Sequence, residues 1–142
     1  RSIRKSDPMT LFLIYFNAFK SINDNFGHLE GDRVLKDIAL YLRKSTRVSD
    51  VVCRSGGDEF AVILPDTDTD AGNHIAERIA AGASKYILQS QNNGLSIPVF
   101  LSVGAATFPD DAGERPALVD CADKRLYKEK RKFYSNRESV SE

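Results

Sequence analysis

The sequence is short of cysteine, of net charge and of long apolar runs, and each shortage excludes something. Cys53 and Cys121 are the two cysteines in 142 residues, and both fall inside apparently regular elements without zinc-type spacing. They are expected to be reduced thiols in the core of a cytoplasmic protein. Lys and Arg number 20 and Asp and Glu 20, a formal net charge of zero, so no charge-driven attachment to nucleic acid or to an acidic membrane is expected. No apolar run spans a bilayer and no signal-peptide pattern is present. Methionine occurs once, as Met9, and the chain opens on Arg1. The expectation is one domain over residues 1–142, a segment of a longer protein, with 1–8 a lead-in and 133–142 a loose tail. No internal repeat is visible.

What is present alternates between strand and helix patterns. Met9 to Phe16 is a near-continuous apolar run, read as a strand buried on both faces. Asn17 to Asn25 reads as a short helix or two turns, broken at Gly27. Val34, Leu35, Ile38, Ala39 and Leu42 recur at helical spacing, predicting a helix from near Gly31 to near Thr46. Val51–Arg54 and Ala61–Leu64 are apolar, β-branched runs around a Gly-Gly pair, a hairpin pattern closed by Pro65. Asp66 to Asp70 offers several helix caps, and Ala71, Ile75, Ile79 and Ala83 carry a helix to about Leu88. A polar loop over residues 89–96 leads to a strand from Ile97 to Phe108, weakened by Gly104. Pro116 is placed to open a last helix with Val119, Ala122 and Leu126 inward. The order predicts a mixed α/β (α+β) domain, a ferredoxin-like sheet containing an antiparallel hairpin, with helices packed around it.

The stretch with chemical character is Ser55-Gly56-Gly57-Asp58-Glu59-Phe60. A bare glycine turn lets a ligand approach the main chain, and two adjacent carboxylates follow it. Neighbouring strand residues point to opposite faces, so Asp58 and Glu59 are expected to act differently. Amides beside carboxylates suit a magnesium-bound triphosphate. Taken alone, the four residues are equally compatible with an ordinary acidic hairpin.

Upstream stands FKSINDNFGHLEGD, Phe19 to Asp32. Together with CRSGGDEF, Cys53 to Phe60, it resembles the GGDEF family, the diguanylate cyclases, over about residues 11–132. The resemblance implies a sheet of the nucleotidyl cyclase and polymerase palm type. It implies a reaction joining two GTP into cyclic di-GMP with release of two pyrophosphates, each of two facing domains binding one GTP. It implies Mg2+ (or Mn2+), held by Asp58 and the Phe16 backbone carbonyl. Asp58 and Glu59 become the catalytic pair. Asn23 and Asp32 become the guanine readers, since an amide and a carboxylate match guanine's acceptor O6 and its donor N1 and N2 groups. Lys20, Lys130, Gly56 and Gly57 become phosphate contacts. From the residues alone, Asn23 is also a plain turn residue, Asp32 a helix cap and the lysines solvated surface.

Two stretches depart from the family pattern. Tyr15-Phe16-Asn17 stands where the family has Asp-x-Asp, replacing two anions by neutral side chains. The family's phosphate-binding arginine falls on Tyr134, after Lys130-Arg131-Lys132-Phe133, and Arg131 is the nearest substitute. The family's opening Leu-Thr-x-Leu-x-Asn-Arg segment is also absent. Retained is Arg47-x-x-Asp50, where the family carries its inhibitory product site, with Arg78 the second contributor. A bidentate guanidinium suits guanine and phosphate there. The expected function is therefore a cyclase domain of cyclic di-GMP signalling with impaired catalysis. The alternative is a degenerate domain acting as a GTP or cyclic di-GMP receptor. Expected partners are GTP, cyclic di-GMP, a second copy for turnover, and attached sensory or regulatory domains, with no direct membrane contact.

Overall fold

The computed structural model describes residues 7–85, 88–89, 94 and 96–141. Strand β1 (Met9–Phe16) is central, and its burial on both faces follows from that position. Helices α1 (Phe19–Phe26) and α2 (His28–Lys44) come next, then β2 (Val51–Arg54) and β3 (Glu59–Pro65). Helix α3 (Thr69–Ser84), the short strands β4 (Leu88–Gln89) and β5 (Ser96–Ile97), strand β6 (Leu101–Phe108) and helix α4 (Arg115–Ser141) complete the order. The main sheet runs β2-β3-β1-β6, and every pairing is antiparallel. With β6 as the fourth main strand, that order and the crossovers are those of a ferredoxin-like sheet.

Alternation along the strands divides the core into two faces. Phe12, Ile14, Phe16, Phe60, Val62 and Leu64 pack against Val34, Leu35, Ile38 and Leu42 of α2 and Ile79 and Ala83 of α3. Leu11 and Ala106 face the other way, onto Leu118 and Ala122 of α4. Each fully buried Phe, Leu or Ile contributes on the order of 1.5–3 kcal/mol.

Boundaries differ from the sequence reading where one local feature decides. Helix α2 starts at His28 rather than near Gly31, because Gly27 turns the chain in one residue. Its φ of 90° is open to glycine, and its N–H closes α1 on the Asn23 carbonyl at 2.8 Å. Asp68 caps α3 as expected, accepting from the Ala71 N–H at 2.9 Å, but that helix ends at Ser84. Strand β6 begins at Leu101 because Pro98 has no N–H to donate; Ile97 pairs with Leu88 instead. Of the polar loop expected over 89–96, residues 90–93 and 95 lie outside the described residues, as do residues 1–6 of the lead-in.

In α4 the inward residues are Leu118, Ala122 and Leu126, four apart, and Val119 is 43% exposed. The expected loose tail is helical through Ser141. Cys53 is an exposed thiol rather than a core one, because β2 is an edge strand. Gly104 does not merely weaken β6: a Cβ there would lie 2.2 Å from the Ala122 carbonyl oxygen and 2.4 Å from the Leu126 nitrogen. Only a residue without a side chain admits the α4 backbone at that distance.

Candidate functional site

Three chain segments meet at the C-terminal end of β1. The β2–β3 hairpin is stitched to it by the Phe16 N–H, which donates to the Asp58 carbonyl at 2.9 Å. Within the hairpin the Ser55 N–H donates to the Glu59 carbonyl at 2.9 Å, and the Arg54 guanidinium binds the Gly56 and Gly57 carbonyls at 3.0 and 2.8 Å. Arg54 therefore shapes the loop, a role that sequence reasoning missed; an arginine directly before a Gly-Gly turn was the available signal. Neither Gly56 nor Gly57 takes a positive φ. What the glycines supply is open space, since a Cβ on Gly57 would meet nothing within 4 Å.

Asp58 and Glu59 diverge as expected. Glu59 lies along the glycines, its Oε2 3.5 Å from where a Gly56 Cβ would stand. Asp58 faces Tyr15. Burial above all pushes the Tyr15 phenol upward from its ordinary value of 10.0, and the Asp58 carboxylate and Tyr134 beside it add to the rise. The phenol thus stays protonated beside Asp58. Tyr134 stands near it too, and its own oxygen accepts from the Ala18 N–H at 3.1 Å. Lys130 completes the group, its Nζ 3.8 Å from the Tyr15 ring centroid. The position of Tyr134 is not deducible from spacing, because it depends on α4 continuing past Lys132.

Asn17 does not join this group. Its carboxamide donates to the Ser102 hydroxyl at 2.8 Å, the residue is 2% exposed, and its Oδ1 has no partner. The sequence reading treated Asn17 as a neutral stand-in beside Asp58; its side chain instead sits in the seam between β1 and β6.

Asn23 packs against Gly31 where α1 meets α2, for a Cβ on that glycine would lie 1.9 Å from the Asn23 Oδ1. Asp32 follows directly, exposed, on the second turn of α2, and Lys20 is exposed on α1. Arg47, Asp50 and Arg78 lie together on the far side of the domain, around the connector between α2 and β2. There Asp50, 3% exposed, accepts from the Arg47 N–H at 2.7 Å and from its guanidinium at 3.2 Å. The same guanidinium donates to the Pro65 carbonyl and the Thr67 hydroxyl at 2.7 and 3.0 Å. Arg78 donates to the Ser45 carbonyl at 2.9 Å, and Arg43, unforeseen from the sequence, binds the Asp50 carbonyl at 2.7 Å.

A ferredoxin-like antiparallel sheet with an acidic hairpin beside the end of its central strand is the arrangement of a nucleotidyl-cyclase palm. The chain matches the family model "Diguanylate cyclase, GGDEF domain" over residues 1–136, and it belongs to that family. It is 41% identical over 132 residues to the diguanylate cyclase DgcP of Pseudomonas aeruginosa, covering 92% of this chain and 19% of that protein. The crystal structure of the GGDEF domain of YfiN (TpbB) from Pseudomonas aeruginosa superposes with a TM-score of 0.80 at 38% identity, over 89% of this chain and 78% of that one. The GGDEF domain of DgcB from Caulobacter crescentus, solved in complex with c-di-GMP, gives 0.79 at 27% identity, over 87% and 72%. The chain spans between 19% and 33% of the length of the curated relatives it matches first.

Cyclases of this family use divalent metal ions. Among the described residues no three His, Cys, Asp or Glu side chains converge. The Phe16–Asp58 backbone bond brings one carboxylate and one main-chain carbonyl to the strand end, both hard oxygens of the kind such ions take. Among the described residues no helix is long and apolar enough to cross a membrane.

Proposed function

We propose that this domain binds GTP and condenses two GTP into cyclic di-GMP and two pyrophosphates at a low rate, as one of two facing copies. The observation that carries the reading is the α1–α2 corner, where Gly31, directly before Asp32, leaves room for the Asn23 carboxamide. An amide and a carboxylate held together there suit guanine's acceptor and donor edge. Lys20, Lys130 and the open backbone at Gly56 and Gly57 receive phosphates, and Asp58 and the Phe16 carbonyl would hold Mg2+ or Mn2+. When bound, the metal neutralises charge on the triphosphate. The chain's own part is to place the guanine, to hold the triphosphate against the hairpin, and to let Asp58 or Glu59 take the proton of the attacking ribose hydroxyl.

The low rate follows from Tyr15. Its neutral phenol stands beside Asp58, so a bound metal would gain no charge from Tyr15. Phosphoryl-type transfer depends on positioning and charge neutralisation, so turnover suffers more than nucleotide binding. The same contact favours a second reading, a receptor of GTP or cyclic di-GMP without turnover. Arg47, Asp50 and Arg78 are the inhibitory product site in either case, a reading supported by the c-di-GMP complex of DgcB. We place the domain in the cytoplasm, attached to sensory or regulatory domains of a longer chain.

The test is incubation of the protein with GTP and Mg2+ or Mn2+, followed by chromatography for cyclic di-GMP, with ATP as the control nucleotide. Slow product from GTP alone supports the cyclase. Tight GTP binding without product selects the receptor. Equal affinity for ATP and GTP sinks both.

A further inference from the structure

Strand β6 is the edge of the main sheet beyond β1, and alternation decides where its main-chain groups point. The Phe100 carbonyl accepts from the Asn17 N–H at 2.9 Å, while the Phe16 N–H turns the other way, to Asp58. In the register of β1 with β6, Ser102, Gly104 and Ala106 therefore turn their N–H and C=O groups to β1. Those of Leu101, Val103, Ala105 and Thr107 turn outward. The chain itself closes the far end of this outward row. Asp111 takes the Thr107 N–H on its carboxylate and gives its own N–H to the Thr107 carbonyl, both at 2.7 Å, and Arg125 binds the Ala105 carbonyl at 2.8 Å. The N–H and C=O groups of Leu101 and Val103 and the N–H of Ala105 have no partner among the described residues.

These open groups line a groove of about 780 Å3. Phe100, Leu101, Ser102, Val103 and Ala105 all border it, so residues of both faces meet it and it runs along the strand edge. Its walls are α3 and α4, which cover opposite faces of the sheet. Toward α3, Leu101, Val103 and Ala105 stand with Ala76 and Ala80, a wall of small and apolar side chains. Toward α4 stand Arg125, Lys128 and Lys132. Asp111 pairs with Arg125 and Glu129 with Lys132, whereas Lys128 has no carboxylate partner among the described residues. None of Lys20, Asn23, Asp32, Asp58 or Lys130 borders the groove.

We propose that the edge of β6 from Leu101 to Ala105 is a docking surface for an extended segment of a partner protein, which adds as a fifth strand between α3 and α4. The open N–H and C=O groups supply its pairing, and the walls set its sequence. Its side chains alternate, apolar toward Ala76 and Ala80 and acidic toward Lys128. An edge clear of its helices would suit another sheet edge. This one lies between helices, and a second copy would bring its own α3 and α4 against them. A single unflanked strand has no such obstacle. The proposal is independent of the nucleotide reading.

The probe is a synthetic peptide of alternating valine and glutamate, about six residues long, the length of a common strand. It is compared with two N-methylated forms, one methylated on every valine and one on every glutamate. Each form loses the N–H groups of one peptide edge only. Calorimetry with the whole chain should show one methylated form binding like the parent peptide and the other at least roughly tenfold more weakly. In hydrogen exchange, the free protein should protect the Ser102 and Gly104 amides and leave those of Leu101, Val103 and Ala105 fast. The peptide should slow all of them. Val103→Pro removes one outward N–H and none that faces β1, a change that edge strands tolerate. It should weaken the parent peptide at least roughly tenfold with an unchanged melting temperature. If that variant does not fold, the methylated pair decides alone. Absence of peptide binding, or equal binding of the two methylated forms, overturns the proposal. Slow exchange at Leu101, Val103 and Ala105 without peptide also overturns it. If that protection grows with protein concentration the edge belongs to a second copy, and if it does not the edge is covered from within the chain.

Discussion

Replacing Gly31 by alanine separates what the α1–α2 corner does for the fold from what it does for a ligand. The new Cβ would lie 1.9 Å from the Asn23 Oδ1, 3.0 Å from its Cγ and 3.2 Å from the Phe19 Cζ. The first two atoms belong to the mobile end of a side chain, so rotation of the carboxamide relieves most of the overlap. Alanine is also the better helix former, by about 0.8–1.0 kcal/mol, which offsets the remaining crowding. Stability should therefore stay within about 1 kcal/mol of the native value. The carboxamide itself has to move by more than a hydrogen bond tolerates. Losing its pairing with guanine, with Asp32 left in place, should cost about 1–3 kcal/mol, or roughly fivefold to 150-fold in Kd for GTP. Calorimetry with GTP and a melting curve measure the two quantities side by side. Asn23→Ala sets the floor: in that background Gly31→Ala should cost nothing further, because the group it displaces is gone. Native-like GTP affinity in a folded Gly31→Ala protein would refute the assignment of Asn23.

Tyr15→Asp should raise the rate of cyclic di-GMP formation at least roughly tenfold, about 1.4 kcal/mol of barrier, measured by chromatography against the native rate; no gain means the metal site is not short of charge. Asn17 should be left alone in that experiment, since a carboxylate in its buried seat would cost stability. Arg47→Ala should abolish cyclic di-GMP binding by calorimetry and also lower stability by about 1–3 kcal/mol, because Asp50 loses its guanidinium partner. Gly104→Ala should destabilise by at least about 1–3 kcal/mol in urea titration, since the clash is with backbone that cannot rotate away. Arg125, opposed by burial and helped by the Thr107 N–H, holds the Asp111 carboxyl below its ordinary value of 3.8. A depressed folded value means that the pair stabilises above pH 3.8 and is lost as the pH falls through the lower folded value. Arg125→Met should thus cost up to about 1 kcal/mol at neutral pH, the pair being partly exposed, and the gap to the native protein should close below pH 3.8.

The central strand, the hairpin and the Asp68 cap were legible because each is written locally. An apolar run, a Gly-Gly pair between β-branched residues and an acidic cluster before a helical period need no knowledge of the rest. The start of β6 was misplaced because composition runs smoothly through Pro98, whereas the missing N–H acts only once a partner strand is specified. Leu118 lost to Val119 in the sequence reading because both are branched apolar residues one position apart, and only the sheet decides the phase of α4. Asn23, Asp32 and Asp58 were legible as motif residues, since spacing along the chain is all that a motif needs. Asn17 and Tyr134 were out of reach for one reason: each is positioned by a residue about 85 or 116 positions away along the chain. Arg47 illustrates a third kind of gap. Its motif was visible, Asp50 included, but the Pro65 carbonyl and Thr67 hydroxyl that also hold its guanidinium come from the end of β3 and the turn after it.

Gly104 has a mechanical meaning beyond its effect on stability. The strand it belongs to touches the α4 backbone between Ala122 and Leu126, so the thickness of that contact sets the height at which the helix leaves the sheet. From Leu126 to Tyr134 a helix advances about 12 Å, as a stiff rod. A fulcrum raised by one methyl group would tilt that rod, and Lys130 and Tyr134 would travel with its free end. The distance between a tyrosine hydroxyl and the Ala18 amide is thus written in a hydrogen atom on the far edge strand. Anything that nudges β6 against α4 moves the mouth of the site without touching it.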